Sequence, residues 1–151
     1  MIKKLNLDPI SKILDNLEFQ NKNIYLGVDF LQLMKLLKPK NINYVEVTEQ
    51  ILIHLLKRIG KNGNLVIPVF NFDCIPEKKF HIIKSSGQSG VLGNILLKKY
   101  SSLRTHHPLY SFLCFGNKFE KYKKIKNTNG TAKNSLWKYF IDDDFDLVTL
   151  G

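Results

Sequence analysis

The feature that most constrains the fold is an alternation of short apolar runs with amphipathic helical segments. The apolar runs have the length and composition of buried strands and lie at 24–28, 65–70, 111–115 and 147–150. The clearest helical pattern is formed by Val47, Ile51, Leu52, Leu55 and Ile59, and Gly60 closes it. Strands that alternate with helices predict an α/β fold, with a mostly parallel central sheet flanked by helices.

Local signals refine this pattern. The predicted helices cover 8–18, 30–37, 47–59, 90–100 and 136–140. Asp8 is suited to cap the first helix with Pro9 at its first position, and Asp29 is suited to cap the next helix. Pro68 predicts an edge, a bulge or the end of its strand. The polar and charged stretch 71–88 is expected to be a loop.

The last apolar run, 147–150, is followed in this chain only by Gly151. A buried strand requires neighbouring strands and a continuing connection. We therefore expect these residues to form an incomplete domain.

The chain carries a net charge of +10, which suits an anionic partner. Its only arginines are Arg58 and Arg104, whereas base-reading proteins rely on the two-pronged guanidinium. A lysine-rich solvated surface is therefore favoured over nucleic-acid binding. The segment 118–126 keeps a single-strand-binding module as the alternative, because Phe119 and Tyr122 alternate there with lysines. The same spacing also fits the apolar face of a helix.

No part of the sequence approaches the roughly 20 consecutive apolar residues of a membrane helix. The first residues, 1–6, lack the apolar run of a signal peptide. Cys74 and Cys114 have no Cys or His at short ligand spacing and are expected to be reduced thiols. We therefore expect a cytoplasmic protein with no membrane partner and no metal site.

Histidines give little indication of catalysis or metal binding. His106 and His107 are adjacent, and adjacent side chains point apart on an extended chain. The favoured interpretation is that Pro108 fixes the loop and His107 makes a structural hydrogen bond. His54 falls within the amphipathic helix and is expected at its rim.

Three neighbouring segments carry a more specific signal. Residues 88–92 open a helix at a glycine, 103–108 hold an arginine and a His-Pro step, and 111–116 form a strand. In this order they resemble the acetyl-CoA-binding half of the aminoglycoside 3-N-acetyltransferase family, enzymes associated with antibiotic resistance. The likeness extends over 24–151, so residues 1–151 are expected to form the N-terminal, acetyl-CoA-binding portion of such a domain.

The resemblance implies acetyl-CoA as co-substrate, no metal, and a small-molecule amine as acceptor. The residues that it places on the cofactor are Asp29, Phe30, Leu31, Arg104, Thr105 and Ser111. A helix N-terminus at Gly90 would favour an anion, and a guanidinium is well suited to phosphate. The family's catalytic His and Glu follow the position of Gly151, so the catalytic residues here are unknown.

Two differences from the family pattern affect the implied chemistry. Asp29, Phe30 and Leu31 stand where the family has a His-Ser-Ser run, and Asn94 stands where it has a Glu. Acidic residues that could attract a polycationic aminoglycoside are concentrated in 142–146. An amino sugar is therefore favoured over an antibiotic as the acceptor, and an inactive fragment is a further interpretation.

Some individual residues support two interpretations. Arg104 is either a phosphate ligand or a surface ion-pair residue. Asp29 is either a helix cap or a binding residue. Residues 142–144 form either a solvated turn or a receptor for an amine.

Overall fold

The computed structural model describes residues 5–40, 43–77, 79–126 and 129–151. The helices are α1 Asp8–Asp15, α2 Phe30–Leu37, α3 Tyr44–Ile59, α4 Cys74–Glu77, α5 Val91–Tyr100, α6 Phe119–Lys123 and α7 Leu136–Asp142. A short 3-10 turn, Ser101–Leu103, follows α5. The strands are β1 Asn23–Val28, β2 Asn64–Pro68, β3 Phe112–Gly116 and β4 Phe145–Leu150.

The strands form one four-stranded sheet in the order β3-β2-β1-β4. β1 is parallel to both β2 and β4, with Ile24 opposite Leu65 and Leu26 opposite Val148. β3 runs antiparallel to β2, with Pro68 opposite Phe112. The predicted α/β fold with a mostly parallel sheet and flanking helices is confirmed.

Alternate residues of the strands divide the interior between the two faces of the sheet. One face, which we call the main core, packs against α1, α2, α3 and α5. Its members include Ile10, Ile24, Leu26, Leu33, Ile51, Leu55, Leu65, Ile67, Leu96 and Leu113, each at most 3% exposed. The amphipathic helix over 44–59 supplies the largest apolar stripe to this core, as its spacing predicts.

The opposite face packs against α6 and α7 and forms the second core. Its buried members are Val66, Phe112, Cys114, Phe119, Tyr122, Leu136 and Phe140. The ring of Phe112 meets the rings of Tyr25, Phe70 and Trp137 edge-on, at centroid distances of 5.9, 5.3 and 5.3 Å. Burial in this apolar layer raises the pKa of the Cys114 thiol.

Amide side chains connect the amino ends of the central strands. The Asn64 side-chain amide donates to Asn23 Oδ1 at 2.8 Å, and Asn23 Nδ2 donates to the carbonyl of Asp143. The Lys118 N–H in turn donates to Asn64 Oδ1 at 2.9 Å. These bonds join β1 and β2 to the segments that begin α6 and β4, so they help to fix the strand register.

The helix boundaries differ from the sequence prediction in specific ways. The N-cap of α1 is Leu7, and Asp8 is the first helical residue, so the prediction of Asp8 as cap is wrong. α1 ends at Asp15, before the predicted Glu18. Pro68 is the last residue of β2, which confirms the strand-end interpretation. The expected loop 71–88 contains the single helical turn α4.

His54 lies at the edge of α3 and forms a contact with α1. Its Nε2 is 3.0 Å from Ser11 Oγ, and the side chain is half-buried. Burial and the positive charges of Arg58 and Lys57 lower the pKa of His54. The predicted position at the rim of the helix is confirmed, and the contact joins the two helices.

In the described ranges no helix is both long and apolar enough to cross a membrane.

Candidate functional site

The parallel strands β1, β2 and β4 all end at the same edge of the sheet, which we call the carboxyl edge. The chain leaves β1 into α2 at Asp29, and β2 continues through a loop to Gly90, where α5 begins. Because β3 is antiparallel, its first residues also lie at this edge. In open α/β sheets the carboxyl edge is the usual location of a ligand.

The beginning of α5 lies at this edge and, unlike that of α2, has no side-chain cap. Gly90 is its N-cap, with φ of 144°, a backbone conformation that residues other than glycine rarely adopt. The first N–H groups of a helix have no acceptor within the helix. In α5 no side chain caps them either. A narrow cleft of about 20 Å³ separates Ser89 and Gly90 from Val28 and Pro68. This end therefore presents amide donors and the positive end of a helix dipole.

Close packing of α5 on β2 gives a testable prediction. A Cβ placed on Gly93 would lie 2.6 Å from the Pro68 carbonyl oxygen and 3.1 Å from Val69 Cγ1. We expect Gly93→Ala to lower the free energy of unfolding by about 1–3 kcal/mol through overpacking. Alanine is otherwise better than glycine in a helix by about 1 kcal/mol. Urea denaturation measures the change.

Lys98→Ala, on the exposed face of the same helix, is the control for Gly93→Ala and is expected to change stability by at most about 0.5 kcal/mol. If Gly93→Ala were more stable than the unmodified chain, the close approach of α5 to the end of β2 would be contradicted.

Arg104 lies beneath this edge with no exposed surface. Its Nε donates to Ser111 Oγ at 2.9 Å, and one Nη donates to the Val69 carbonyl at 3.0 Å. The other Nη donates to the carbonyl of Ser85, with longer contacts to Ile82 and Ser86. The guanidinium is also 4.8 Å from the ring centroid of Phe80. One side chain therefore holds the loop that precedes α5 against the end of β2.

The charge of Arg104 is compensated only by neutral oxygens among the described residues. Its acceptors are backbone carbonyls and one hydroxyl. Within the described residues, Arg104 forms no ion pair with a carboxylate. Burial lowers the pKa of Arg104 to about 10, so the group is still a cation near pH 7. A cation in a low-dielectric interior contributes a positive potential to the surface above it. The surface ion-pair interpretation of Arg104 is wrong.

Thr105 and Ser111 belong to the same buried cluster as Arg104. The Thr105 N–H donates to the Phe112 carbonyl, and Thr105 Oγ1 accepts from the Phe112 N–H at 3.0 Å. Ser111 Oγ donates to the Val69 carbonyl at 2.9 Å while it accepts from Arg104. Both side chains are fully buried. The structure thus brings Arg104, Thr105 and Ser111 together, and their role toward a cofactor stays a prediction.

The other three predicted residues lie at the turn from β1 into α2. Asp29 Oδ1 accepts from the Gln32 N–H at 3.0 Å, which confirms Asp29 as the N-cap. Phe30 packs against the main core and meets Tyr44 edge-on at 5.8 Å, whereas Leu31 is 65% exposed. This group shares the carboxyl edge with the Arg104 cluster. A contact between these residues and a cofactor stays a prediction.

Two polar side chains near this edge, His107 and Asn94, accept hydrogen bonds from backbone N–H groups of loops. His107 is buried, and its Nδ1 accepts from the N–H groups of Leu109 and Tyr110 at 3.1 and 2.8 Å. The predicted structural hydrogen bond of His107 is confirmed. Asn94, in α5, accepts from the Gly87 N–H at 3.2 Å and so fixes the loop before the helix.

The acidic segment 142–144 is only partly a solvated turn. Asp143 has a side chain that is 15% exposed and lies 2.7 Å from the Lys121 ammonium and 2.6 Å from the Tyr122 hydroxyl. Lys118 is a further partner at 3.3 Å. These partners hold the pKa of Asp143 below its ordinary value against the effect of burial. Asp143 therefore closes the second core and is not available to an incoming amine.

The basic segment 118–126 forms α6 and a short extension. Phe119 and Tyr122 are buried in the second core, which confirms the interpretation as a helix with one apolar face. Their rings present no open face on which a base could stack. The described residues contain no group of three or more side chains arranged to hold a metal ion.

Sequence reasoning missed the acceptors that surround Arg104. Most are backbone carbonyls of residues 82–86. Every residue has such a carbonyl, so the amino-acid sequence does not indicate which ones will accept from Arg104. A signal did exist in the polar side chains of the same loop, since Ser89 Oγ accepts from Phe70 N–H and Gln88 Oε1 accepts from Phe72 N–H. Uncharged polar residues at 85–89 are typical of a loop that is bonded to its surroundings.

Comparison of the sequence with family models finds no match, and neither does a comparison with curated proteins. Comparison with solved structures does find similar folds. The acetyltransferase AAC-IIIb, in a binary complex with CoASH, has a TM-score of 0.72 and 16% identity over 93% of this chain and 57% of that chain. AAC-VIa bound to sisomicin has a TM-score of 0.72 and 12% identity over 95% of this chain and 58% of that chain.

YokD from Bacillus subtilis gives the same TM-score of 0.72, at 14% identity, over 98% of this chain and 64% of that chain. The chain therefore spans about half to two thirds of the length of the structures it resembles, consistent with a partial domain. The family resemblance read from the sequence is confirmed at the level of structure: this chain has the fold of the corresponding part of the aminoglycoside 3-N-acetyltransferases.

Proposed function

We propose that this chain is the acetyl-CoA-binding part of an N-acetyltransferase that acts on an amine of an amino sugar or aminoglycoside. The proposal rests mainly on the meeting of an uncapped helix N-terminus with a buried guanidinium at the carboxyl edge. It is supported by the similarity to AAC-IIIb, which was solved with CoASH. The similarity to AAC-VIa bound to sisomicin supports a small amine as acceptor.

In this proposal the α5 N-terminus receives the phosphates of the cofactor. The backbone N–H groups that follow Gly90 have no intrahelical acceptor, and the helix dipole adds to the attraction for an anion. Arg104 acts from below, because its donors are already occupied by Val69, Ser85 and Ser111. Its contribution is to hold the loop that leads to Gly90 and to add positive potential.

The turn from β1 into α2 contributes apolar surface in place of the hydroxyls that the family pattern would supply. Leu31 is 65% exposed at the beginning of α2, next to the Asp29 cap. An exposed aliphatic side chain at a ligand-binding edge suits the uncharged pantetheine arm. The Asp29 carboxylate is bonded to the Gln32 N–H, which directs part of its charge toward its own helix.

The proposed reaction is attack of a neutral amine on the thioester carbonyl. A new C–N bond forms, the C–S bond breaks, the CoA thiolate leaves and the amine loses a proton to a base. We assign to this chain the binding and orientation of the thioester. No residue of the chain is assigned to the proton transfer.

Isothermal titration of the chain with CoA tests the binding step. We expect saturable heat with CoA, weaker binding as salt rises, and much less heat with pantetheine, which has no phosphate. The informative variant is Val91→Glu, since Val91 is 52% exposed at the first position of α5. A carboxylate there is favourable to the helix but repels a phosphate. We expect CoA affinity to fall by about tenfold or more, equivalent to ~1.4 kcal/mol.

Ile53→Glu is the matched control, because it adds the same charge at a side chain of similar exposure, 49%, in the middle of α3. Its affinity for CoA should equal that of the unmodified chain. Absence of CoA binding by the unmodified chain, or unchanged binding by Val91→Glu, would contradict the proposed site.

A further inference from the structure

The contact between α1 and α3 brings a hydroxyl and an imidazole together beside an open pocket. Ser11 Oγ lies 3.0 Å from His54 Nε2, and both side chains are half-buried. A hydroxyl within hydrogen-bond reach of an imidazole is the arrangement of a nucleophile with its general base. The pocket has a volume of about 650 Å³, and we call it the helix pocket. Its lining consists of 5–8, Ser11, Gln50, Ile53, His54 and Lys57.

The walls of the helix pocket combine apolar side chains with these few polar groups. Leu5 and Leu7 line it from the segment before α1, and Ile53 lines it from α3. Ile53 is 49% exposed, so about half of its surface is open to a ligand. A concave site of this size and composition is typical of small-molecule binding. The apolar walls fit a short aliphatic group.

The imidazole of His54 has the protonation state that a general base requires. Burial and the positive charges of Arg58 and Lys57 lower its pKa. The carboxylate of Asp15, which pairs with Arg58, has the opposite and smaller effect. The pKa therefore lies below the ordinary histidine value of about 6.5, and the ring is mostly neutral at pH 7. A neutral imidazole with its proton on Nδ1 can accept the Ser11 proton at Nε2.

The beginning of α1 adds a positive potential beside the Ser11 hydroxyl. Ser11 is the fourth residue of α1, and helical side chains tilt toward the N-terminus of their helix. Its Oγ is therefore directed toward the positive end of the helix dipole. The charged side chains of the lining are Asp8 and Lys57, one of each sign. The helix end adds to them a potential that stabilises a negative oxygen at this position.

We propose that Ser11 and His54 form a second acyl-transfer site, which hydrolyses esters of short aliphatic carboxylic acids. Ser11 Oγ attacks the ester carbonyl carbon while its proton passes to His54 Nε2. The C–O bond to the alcohol then breaks, and the alcohol leaves with that proton. Water attacks the acyl-serine in the same way, which releases the carboxylic acid and returns a proton to Ser11.

Covalent labelling with diisopropyl fluorophosphate identifies the nucleophile directly. Attack on phosphorus displaces fluoride and leaves a stable adduct, so the label reports an activated serine even where ester turnover is slow. We expect a single adduct, located by mass spectrometry in the peptide that contains Ser11. The same protein should hydrolyse p-nitrophenyl butyrate faster than buffer does. Ser11→Ala should abolish both the adduct and the hydrolysis.

His54→Gln separates a general base from a structural contact, because glutamine can still bond to Ser11 but cannot take its proton. We expect labelling to slow by at least about a hundredfold while circular dichroism stays unchanged. Ser102→Ala, at an exposed serine in the turn after α5, is the control and should label as the unmodified chain does.

The pH dependence of labelling gives a further readout. The rate should rise as His54 loses its proton, with a midpoint below about 6.5 because the pKa is lowered. His54→Gln should lose this step. The charged groups that face His54 from α1 and α3 are Asp8, Asp15, Lys57 and Arg58.

Labelling spread over several serines, or labelling that Ser11→Ala or His54→Gln leaves unaltered, would overturn the proposal. A rate with no step in pH would also overturn it, because His54 would then not be the base. An adduct on Ser11 without hydrolysis of p-nitrophenyl butyrate would overturn the assignment to esters. The proposal does not depend on CoA binding, since the residues tested there include neither Ser11 nor His54.

Discussion

Replacing Arg104 with methionine is expected to lower the free energy of unfolding by about 2–4 kcal/mol. The substitution leaves the buried carbonyls of Val69 and Ser85 without their donor, and an unsatisfied buried polar group costs roughly 1–3 kcal/mol. Relief from burying a cation offsets part of that loss. Urea denaturation gives the stability, and hydrogen exchange should show loss of protection in 82–90.

The chain supplies its own control, since its other arginine is Arg58. Arg58 pairs with Asp15 at the surface, and exposed pairs contribute about 0–1 kcal/mol. Arg58→Met should therefore change stability little and leave exchange in 82–90 unaltered. Arg104→Lys should fall between the two, because an ammonium keeps the charge but cannot reach all of the acceptors of a planar fork. Equal losses for Arg104→Met and Arg58→Met would contradict the loop-holding role.

Replacing Phe112 with alanine is expected to cost about 3–5 kcal/mol, the range for deletion of a buried aromatic ring. Phe112 has no exposed surface and meets Phe70, Trp137 and Phe140 edge-on at 5.3, 5.3 and 5.0 Å. The loss is measured by urea denaturation followed through Trp137 fluorescence.

Phe72→Ala is the matched comparison, since Phe72 is 47% exposed and its ring centroid lies 6.4 Å from that of Phe70. We expect it to cost less than about 1 kcal/mol. If the two substitutions had the same effect, the α7 face of the sheet would contribute little to stability.

The secondary structure could be predicted well because burial on both sides of a parallel sheet leaves continuous apolar runs. The strand near 24–28 and the helix near 47–59 follow directly from such patterns. The direction of β3 could not be predicted in this way, because an apolar run has the same composition whichever way it pairs. The ends of helices were predicted less accurately than their positions. The first helix was expected over 8–18, whereas α1 ends at Asp15.

The candidate site shows the same division between local and tertiary information. Asp29 was recognised as a cap because capping is local, and the bond to Gln32 confirms it. The burial of Arg104 depends on carbonyls that are 18–35 residues away in sequence, so residue type gave no indication of it. Asp143 was expected in a solvated turn for a similar reason, since Lys121 and Tyr122 are distant along the chain.

The reversed direction of β3 has a consequence for how the carboxyl edge of this sheet is assembled. A parallel strand in its place would start at the far end of the sheet, about 15 Å from where Ser111 now meets Val69. Because β3 is reversed, the long connection 69–111, which includes α5, both leaves β2 and enters β3 at the carboxyl edge. The direction of β3 therefore places the Ser111 hydroxyl and the Arg104 guanidinium at this edge as part of the fold itself.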